Sequence, residues 1–200
     1  MIVIGLTGSI GMGKSTAAKM LQWLGVPVHD SDKAVHDALL PQGSAYEQVR
    51  GLFPTAVGKD GIIDRKALGA IVFKDKPALK QLEDILHPAA KSSQQKFIAG
   101  QEALGKKIVA LEIPLLFETN AQDRVHSVIT VTSPPDVQRA RVLSRPNMSE
   151  EKFQSILTSQ IPDQEKQARS NFVIDTGSGY LKTFFQLAKA LRIIKRKSKA

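Results

Sequence analysis

The residues GSIGMGKS at positions 8–15 fit the pattern G-x-x-x-x-G-K-[ST], in which every residue type has a task in holding a polyphosphate. Gly8, Gly11 and Gly13 let the backbone turn, in places through positive φ, so that successive N–H groups point at one anion. Lys14 is the cation expected to reach the β- and γ-phosphates. The Ser15 hydroxyl is the expected ligand of a magnesium ion, and Thr16 the expected contact nearer the α-phosphate. A chance match in a glycine-rich turn would lack the right flanks, and here both are present. Residues 2–7 (IVIGLT) read as a short buried strand, and from Lys14 to Leu24 the apolar Ala17, Met20, Leu21 and Leu24 recur at helical spacing until Gly25. A helix beginning at Lys14 adds the positive end of its dipole to the loop. The expected ligand is ATP or GTP, with Gly11, Met12, Gly13, Lys14, Ser15 and Thr16 around its phosphates.

Phosphoryl transfer to a hydroxyl needs a carboxylate near the acceptor and cations around the moving group. Asp30 and Asp32 follow a second short strand at residues 26–28, on the sheet edge where open α/β folds bind ligands. Either could take the proton of an attacking hydroxyl, and Asp30 or Ser31 could equally cap the next helix. Arg141 and Arg145 are four apart on a predicted helix at 135–145 and so share a face, with Arg139 on a neighbouring one. Together with the turn RPNMS at 145–149 they resemble a hinged flap closing over phosphates; a solvated basic face is the alternative. Glu112, ending a third strand, would orient magnesium-bound water or pair with a nearby cation. His29, His36, His87 and His126 show no metal-ligand spacing, and Trp23 is expected in the core beneath the first helix.

The elements that must position these groups alternate. Strands are expected at 2–7, 26–28, 108–111, 128–131 and 172–174, and helices at 14–24, 135–145, 149–160 and 179–195, which argues for a parallel α/β sheet. Between about 34 and 100 helical patterns dominate. Leu79, Leu82, Ile85, Leu86 and Ala89 form an apolar stripe there, and Pro88 is expected to bend or split that helix. The reading is a core at about 1–33 and 101–200, a helical insertion at about 34–100 and a lid at about 135–160.

Composition sets the outer bounds. The chain has 200 residues, 42% hydrophobic and 24% charged, which is ordinary globular material with enough length for a real core. It has no cysteine, which excludes disulfides, thiolate metal sites and cysteine nucleophiles. No apolar run of membrane-spanning length appears, and the first residues lack the basic lead-in of a signal peptide. The net charge of +9 fits an anionic partner. Arg192, Lys195, Arg196, Lys197 and Lys199 crowd the last ten residues without an acid among them, so the folded body carries a modest excess and the tail is expected to fray.

A switch GTPase would carry an Asn-Lys-x-Asp motif, absent here, and a motor domain is usually longer. A binding module that used the basic tail on nucleic acid would be salt-sensitive, but aromatic residues make up only 6% and none interleave with the tail. The arrangement that does fit is familiar. GLTG at 5–8, Asp30, Asp32, His36, Asp64, Arg65, Leu68, Val72, Phe73, His87-Pro88, PLLFE at 114–118, Gln138, Arg141, Arg145, Gln160 and VID at 173–175 together resemble the bacterial dephospho-CoA kinase family from end to end. Against a nucleoside monophosphate kinase, the His-Pro and PLLFE elements are the specific ones. The chain differs from the family's usual residues at Ser9, Met12, Pro146, Asn171 and Thr176.

The resemblance implies a P-loop kinase fold like that of nucleoside monophosphate kinases, with five parallel strands, a helical CoA-side domain and a lid. It implies transfer of the ATP γ-phosphoryl to the 3′-hydroxyl of dephospho-CoA, the last step of CoA biosynthesis, with Mg²⁺. Asp32, Lys14 and Arg141 would be catalytic, Arg145 would support the nucleotide, and Ser15 and Glu112 would serve the metal. Asp32, Arg65, Phe73, His87, Pro114 and Leu115, with the rest of 114–118, would face the acceptor. The expected partners are these two small molecules, with no nucleic acid or membrane. The expected state is a cytoplasmic monomer or weak homo-oligomer.

Overall fold

The computed structural model describes residues 1–197. In chain order the elements are β1 (Ile2–Thr7), α1 (Lys14–Trp23), β2 (Val28–Asp30), α2 (Ser31–Ala38), α3 (Tyr46–Leu52), α4 (Arg65–Val72), α5 (Lys76–Ala103) and β3 (Ile108–Glu112). They continue with β4 (Ser127–Thr132), α6 (Pro135–Leu143), α7 (Glu150–Ser159), α8 (Asp163–Ala168), β5 (Phe172–Asp175) and α9 (Tyr180–Lys197). The chain divides into two compact units, one of residues 1–29 with 101–200 and one of residues 30–100.

The first unit is built on a five-stranded parallel sheet in the order β2-β3-β1-β4-β5. The strands read as apolar runs because a parallel sheet is covered on both faces. Ile4, Leu6, Val109, Ala110, Ile129 and Val131 are all fully buried, each large one worth about 1.5–3 kcal/mol on removal from water. β1 is central, with Leu6 in register with Glu112 on one side and Ile129 on the other. The chain leaves β1 where the strand order reverses, the place where doubly wound sheets open a ligand crevice. Ala17, Met20 and Leu21 of α1 and Leu187, Ala190, Leu191 and Ile194 of α9 complete this core.

The second unit has its own core. Tyr46, Val49 and Phe53 around α3 meet Leu68 and Val72 of α4 and Leu82 of α5. Asp64 caps α4 by accepting from the Lys66 and Ala67 amides.

Four local expectations change, and one helix was not foreseen. The second strand lies two residues later than expected, at Val28–Asp30, although the Pro27 carbonyl already accepts from the Ala110 amide at 2.9 Å. Pro88 does not split its helix: α5 runs 28 residues straight through it. Proline removes a single backbone donor, and its ring is on an exposed position. Trp23 is 76% exposed rather than core, because Met20 and Leu21 already occupy the inward face of α1. The short polar α8 had no apolar period to announce it. Finally, α9 carries the basic segment in helical form through Lys197, and the remaining expectation of fraying, at 198–200, lies outside the described residues.

Candidate active site

The loop after β1 enters α1 through Gly13, whose φ of 83° is left-handed. The cap therefore places no side chain between the helix start and an anion. Gly11, at φ 77°, has a second reason to be glycine: a Cβ there would stand 2.5 Å from Val142 Cγ2 and 3.0 Å from the Gln138 carbonyl. The loop is thus packed directly under α6. Lys14 Nζ folds back to donate to the Gly8 carbonyl at 2.8 Å, which holds the ammonium over the loop.

Two glutamines fasten the same loop from other elements. Gln138 Nε2, on α6, donates to the Ile10 carbonyl at 2.7 Å, and Gln160 Oε1, after α7, accepts from the Ile10 amide at 3.1 Å. Both backbone groups of one loop residue are therefore satisfied by the segment expected to be a lid. Met12 takes part as well. Its buried sulfur accepts from the Ser133 amide and hydroxyl at 3.1 and 3.2 Å, so the side chain is seated against the residue that follows β4.

Gly11, Met12, Gly13, Lys14, Ser15 and Thr16 line a cavity of about 410 Å³ together with Arg141, Arg145 and the turn that follows β5. The size suits one nucleotide-scale ligand. Arg141 is half-buried and donates to Thr176, from Nη1 to its hydroxyl at 2.9 Å and from Nη2 to its carbonyl at 2.8 Å. Arg145 stands just beyond the end of α6, exposed, before a turn in which Asn147 takes the left-handed φ of 61° that asparagine tolerates. Arg139 points elsewhere: it pairs with Glu150 of α7 at 2.7 Å and does not line the cavity. A hydrogen bond from Gln154 first, and then the one from Arg139, hold the Glu150 carboxyl below its ordinary value against the opposing effects of burial and of Glu151.

Below the loop, the Ser15 hydroxyl donates to Glu112 Oε1 at 3.4 Å, with Glu112 buried at the end of β3. A hydroxyl and a carboxylate are hard oxygen donors of the kind magnesium takes. Among the described residues no group of three or more His, Asp or Glu side chains is set to hold a metal by itself.

The segment after β3 faces two ways. Thr7 Oγ1 donates to the Pro114 carbonyl at 3.2 Å, and Leu115 is 43% exposed. Glu118, in contrast, turns inward to the fully buried Lys166 of α8 at 2.7 Å and accepts from the Ile161 amide. Removing one partner of such a pair leaves a buried charge uncompensated, at a cost of about 3–5 kcal/mol. Glu118 is therefore engaged in structural contacts within the PLLFE segment.

In the helical unit, Asp30 settles as the cap of α2, its Oδ1 accepting from the Lys33 amide at 2.9 Å. Asp32, in the first turn, is exposed, and His36 follows it four residues on, on the same face. Arg65 Nη1 meets His36 Nδ1 at 2.9 Å. Phe73 ends α4 with 82% of its surface exposed, and His87 lies exposed on α5.

The turn after β5 entered the sequence reading only through VID at 173–175 and Thr176, and none of its residues was named for the site. Thr176, Gly177, Gly179, Tyr180 and Thr183 all line the nucleotide-sized cavity. Two glycines directly after a β-strand, at the ligand-binding sheet edge, were the available signal. Asp175 shapes this turn by accepting from the Gly177 amide at 2.7 Å and from the Ser178 hydroxyl. These bonds, that from Ser178 foremost, hold its carboxyl below the ordinary aspartate value against the opposing effect of burial. The stabilisation is complete above the unfolded-state value and is lost as pH falls through the lower folded-state one. Asp175→Asn is expected to lower stability at neutral pH by about 1 kcal/mol and to flatten the acid limb of the stability profile. Urea unfolding across the acidic range measures both. Asn171 is likewise structural: its Oδ1 accepts from the Val128 amide at 2.7 Å.

A glycine loop and lysine at the end of the central strand of a 2-3-1-4-5 parallel sheet, with an arginine held across the cavity, define a P-loop kinase. The dephospho-CoA kinase (CoaE) family model matches residues 2–181. The chain belongs to the dephospho-CoA kinase family. It is 53% identical over 179 residues to the dephospho-CoA kinase of Mesorhizobium japonicum, covering 90% of this chain and 89% of that one. Among solved structures, TT1252 from Thermus thermophilus superposes with a TM-score of 0.85 at 35% identity, over 96% of each chain. The dephospho-CoA kinase from Campylobacter jejuni does so with a TM-score of 0.72 at 29% identity, over 98% of each. The chain is accordingly an ATP-dependent phosphotransferase. Among its described residues no helix is long and apolar enough to cross a membrane.

Proposed function

We propose that the protein transfers the γ-phosphoryl group of ATP to the ribose 3′-hydroxyl of dephospho-CoA, giving CoA and ADP in the last step of CoA biosynthesis. The observation that carries this reading is the cavity in which the glycine loop, Lys14 and Arg141 face one ligand-sized space, in a chain of this family. The 3′-oxygen attacks the γ-phosphorus, the bond from that phosphorus to the β-bridging oxygen breaks, and the hydroxyl proton passes to Asp32. Lys14 and Arg141 balance the charge on the transferring group, and Arg145 steadies the nucleotide. The chemistry a magnesium ion would supply here, when bound with ATP, is neutralisation of the charge that develops on the phosphates. Ser15 would hold it directly, and Glu112 would orient its water shell.

Acceptor binding is assigned to Arg65, Phe73 and His87 of the helical unit and to Pro114 and Leu115 after β3. The sheet-bearing core at about 1–33 and 101–200 would bind the nucleotide, the helical insertion at about 34–100 would serve the acceptor, and residues at about 135–160 would move as the lid. The protein would act in the cytoplasm as a monomer or weak homo-oligomer, without a nucleic-acid or membrane partner. The test is the product. Incubation with ATP, Mg²⁺ and dephospho-CoA should add one phosphate to the acceptor, carried as a 3′-monoester in its phosphorus spectrum. Unchanged acceptor in the presence of folded protein would refute the assignment.

A further inference from the structure

Thr176 occupies a junction that no motif announces. It is 6% exposed, and its amide donates to the Thr132 carbonyl at 2.8 Å, which fixes its backbone to the end of β4. Its hydroxyl lies 2.9 Å from the Met12 carbonyl, in the glycine loop, and 3.1 Å from the Thr132 carbonyl. The hydroxyl has one proton, directed to the nearer Met12 carbonyl, and the oxygen lone pairs remain for a donor. That donor is Arg141, which grips the same residue twice, through the hydroxyl and through the carbonyl. A Cβ on Gly13 would meet this hydroxyl at 2.9 Å, so the threonine also sits flush against the loop.

An arginine side chain has much rotamer freedom to lose before it can meet a ligand in one geometry. Two parallel N–H bonds to one fixed residue remove most of that freedom in advance. They account for two of the five guanidinium N–H donors and leave the others for the cavity that Arg141 lines. Charge stabilisation is most effective when its donors need no reorganisation at the moment of reaction.

We infer that Thr176 is the positioning residue for Arg141, tying the guanidinium to the glycine loop through a single hydroxyl so that both meet the transferring phosphoryl in fixed relation. The inference rests on the role given above to Arg141. Thr176→Val keeps the shape and removes the hydroxyl; kcat should fall about tenfold while KM for ATP changes less than about twofold. Thr176→Ser should restore most of the lost rate. In an Arg141→Ala background, Thr176→Val should cost less than about twofold more, because the group it positions is gone.

A valine variant with kcat near that of the parent overturns the inference, as does a tenfold loss that persists in the Arg141→Ala background. Arg141→Ala without loss of rate refutes the role of Arg141 and the inference with it. Loss in Arg141→Ala beside a silent Thr176→Val refutes the inference alone. Should the valine variant not fold, Thr176→Cys, with a weak acceptor in nearly the same volume, takes its place under the same criteria.

Discussion

Asp32→Ala is expected to lower kcat by about 10²–10⁴, the range for loss of a general base, with the affinity for ATP changed less than about twofold. The split follows from where the residue stands. Asp32 opens α2 in the helical unit, whereas the residues around the nucleotide cavity all belong to the sheet-bearing unit. The neighbouring aspartate supplies the control. Asp30 is occupied in capping α2, so Asp30→Ala should cost about 1 kcal/mol of stability and much less rate than Asp32→Ala. Steady-state kinetics with thermal unfolding of both variants checks the pair. Equal loss of rate in the two would mean that both aspartates act only by building the helix.

Lys14→Ala should impair binding and chemistry together. Its ammonium sits on the Gly8 carbonyl, inside the ring of loop backbone that would receive the phosphates, so it meets bound ATP in the ground state and the transferring group later. We expect KM for ATP to rise at least tenfold and kcat to fall by about 10²–10³, the scale seen when one preorganised charge-stabilising group is removed. Arginine at this position should not restore the rate, because a planar fork does not replace a compact point charge. A variant with raised KM and an unchanged kcat would confine Lys14 to binding.

What could be read in advance divides by the range of the interactions involved. The opening from β1 through the glycine loop to α1 was legible because its signals are local: a β-branched run, glycines needing positive φ, and an apolar helical period. The five strands were found for the same reason, with ends off by at most one residue except at β2, which is displaced by two and where Pro27 stands in the run. The helix through Pro88 was misjudged because proline is locally a breaker, while the other 27 residues of α5 share the cost of one missing bond.

The site shows the same division. The motif and the i, i+4 spacing pointed to Lys14 and Arg141, but spacing could not say that Arg139 would be taken by Glu150. Nor could it show that Gln138, Gln160 and Thr176 converge on the glycine loop from 128, 150 and 164 residues away. Those bonds exist only once the sheet has brought the ends of β1, β4 and β5 side by side.

The most direct test of the central claim is the rate of ADP release with Mg·ATP and saturating dephospho-CoA, set against the same assay with AMP or with no acceptor. The account expects turnover of at least about 1 s⁻¹ with dephospho-CoA, within the ordinary range for kinases, and at least a hundredfold less with either control. ADP release that is equal with and without dephospho-CoA, from protein shown to be folded and to bind ATP, would contradict it.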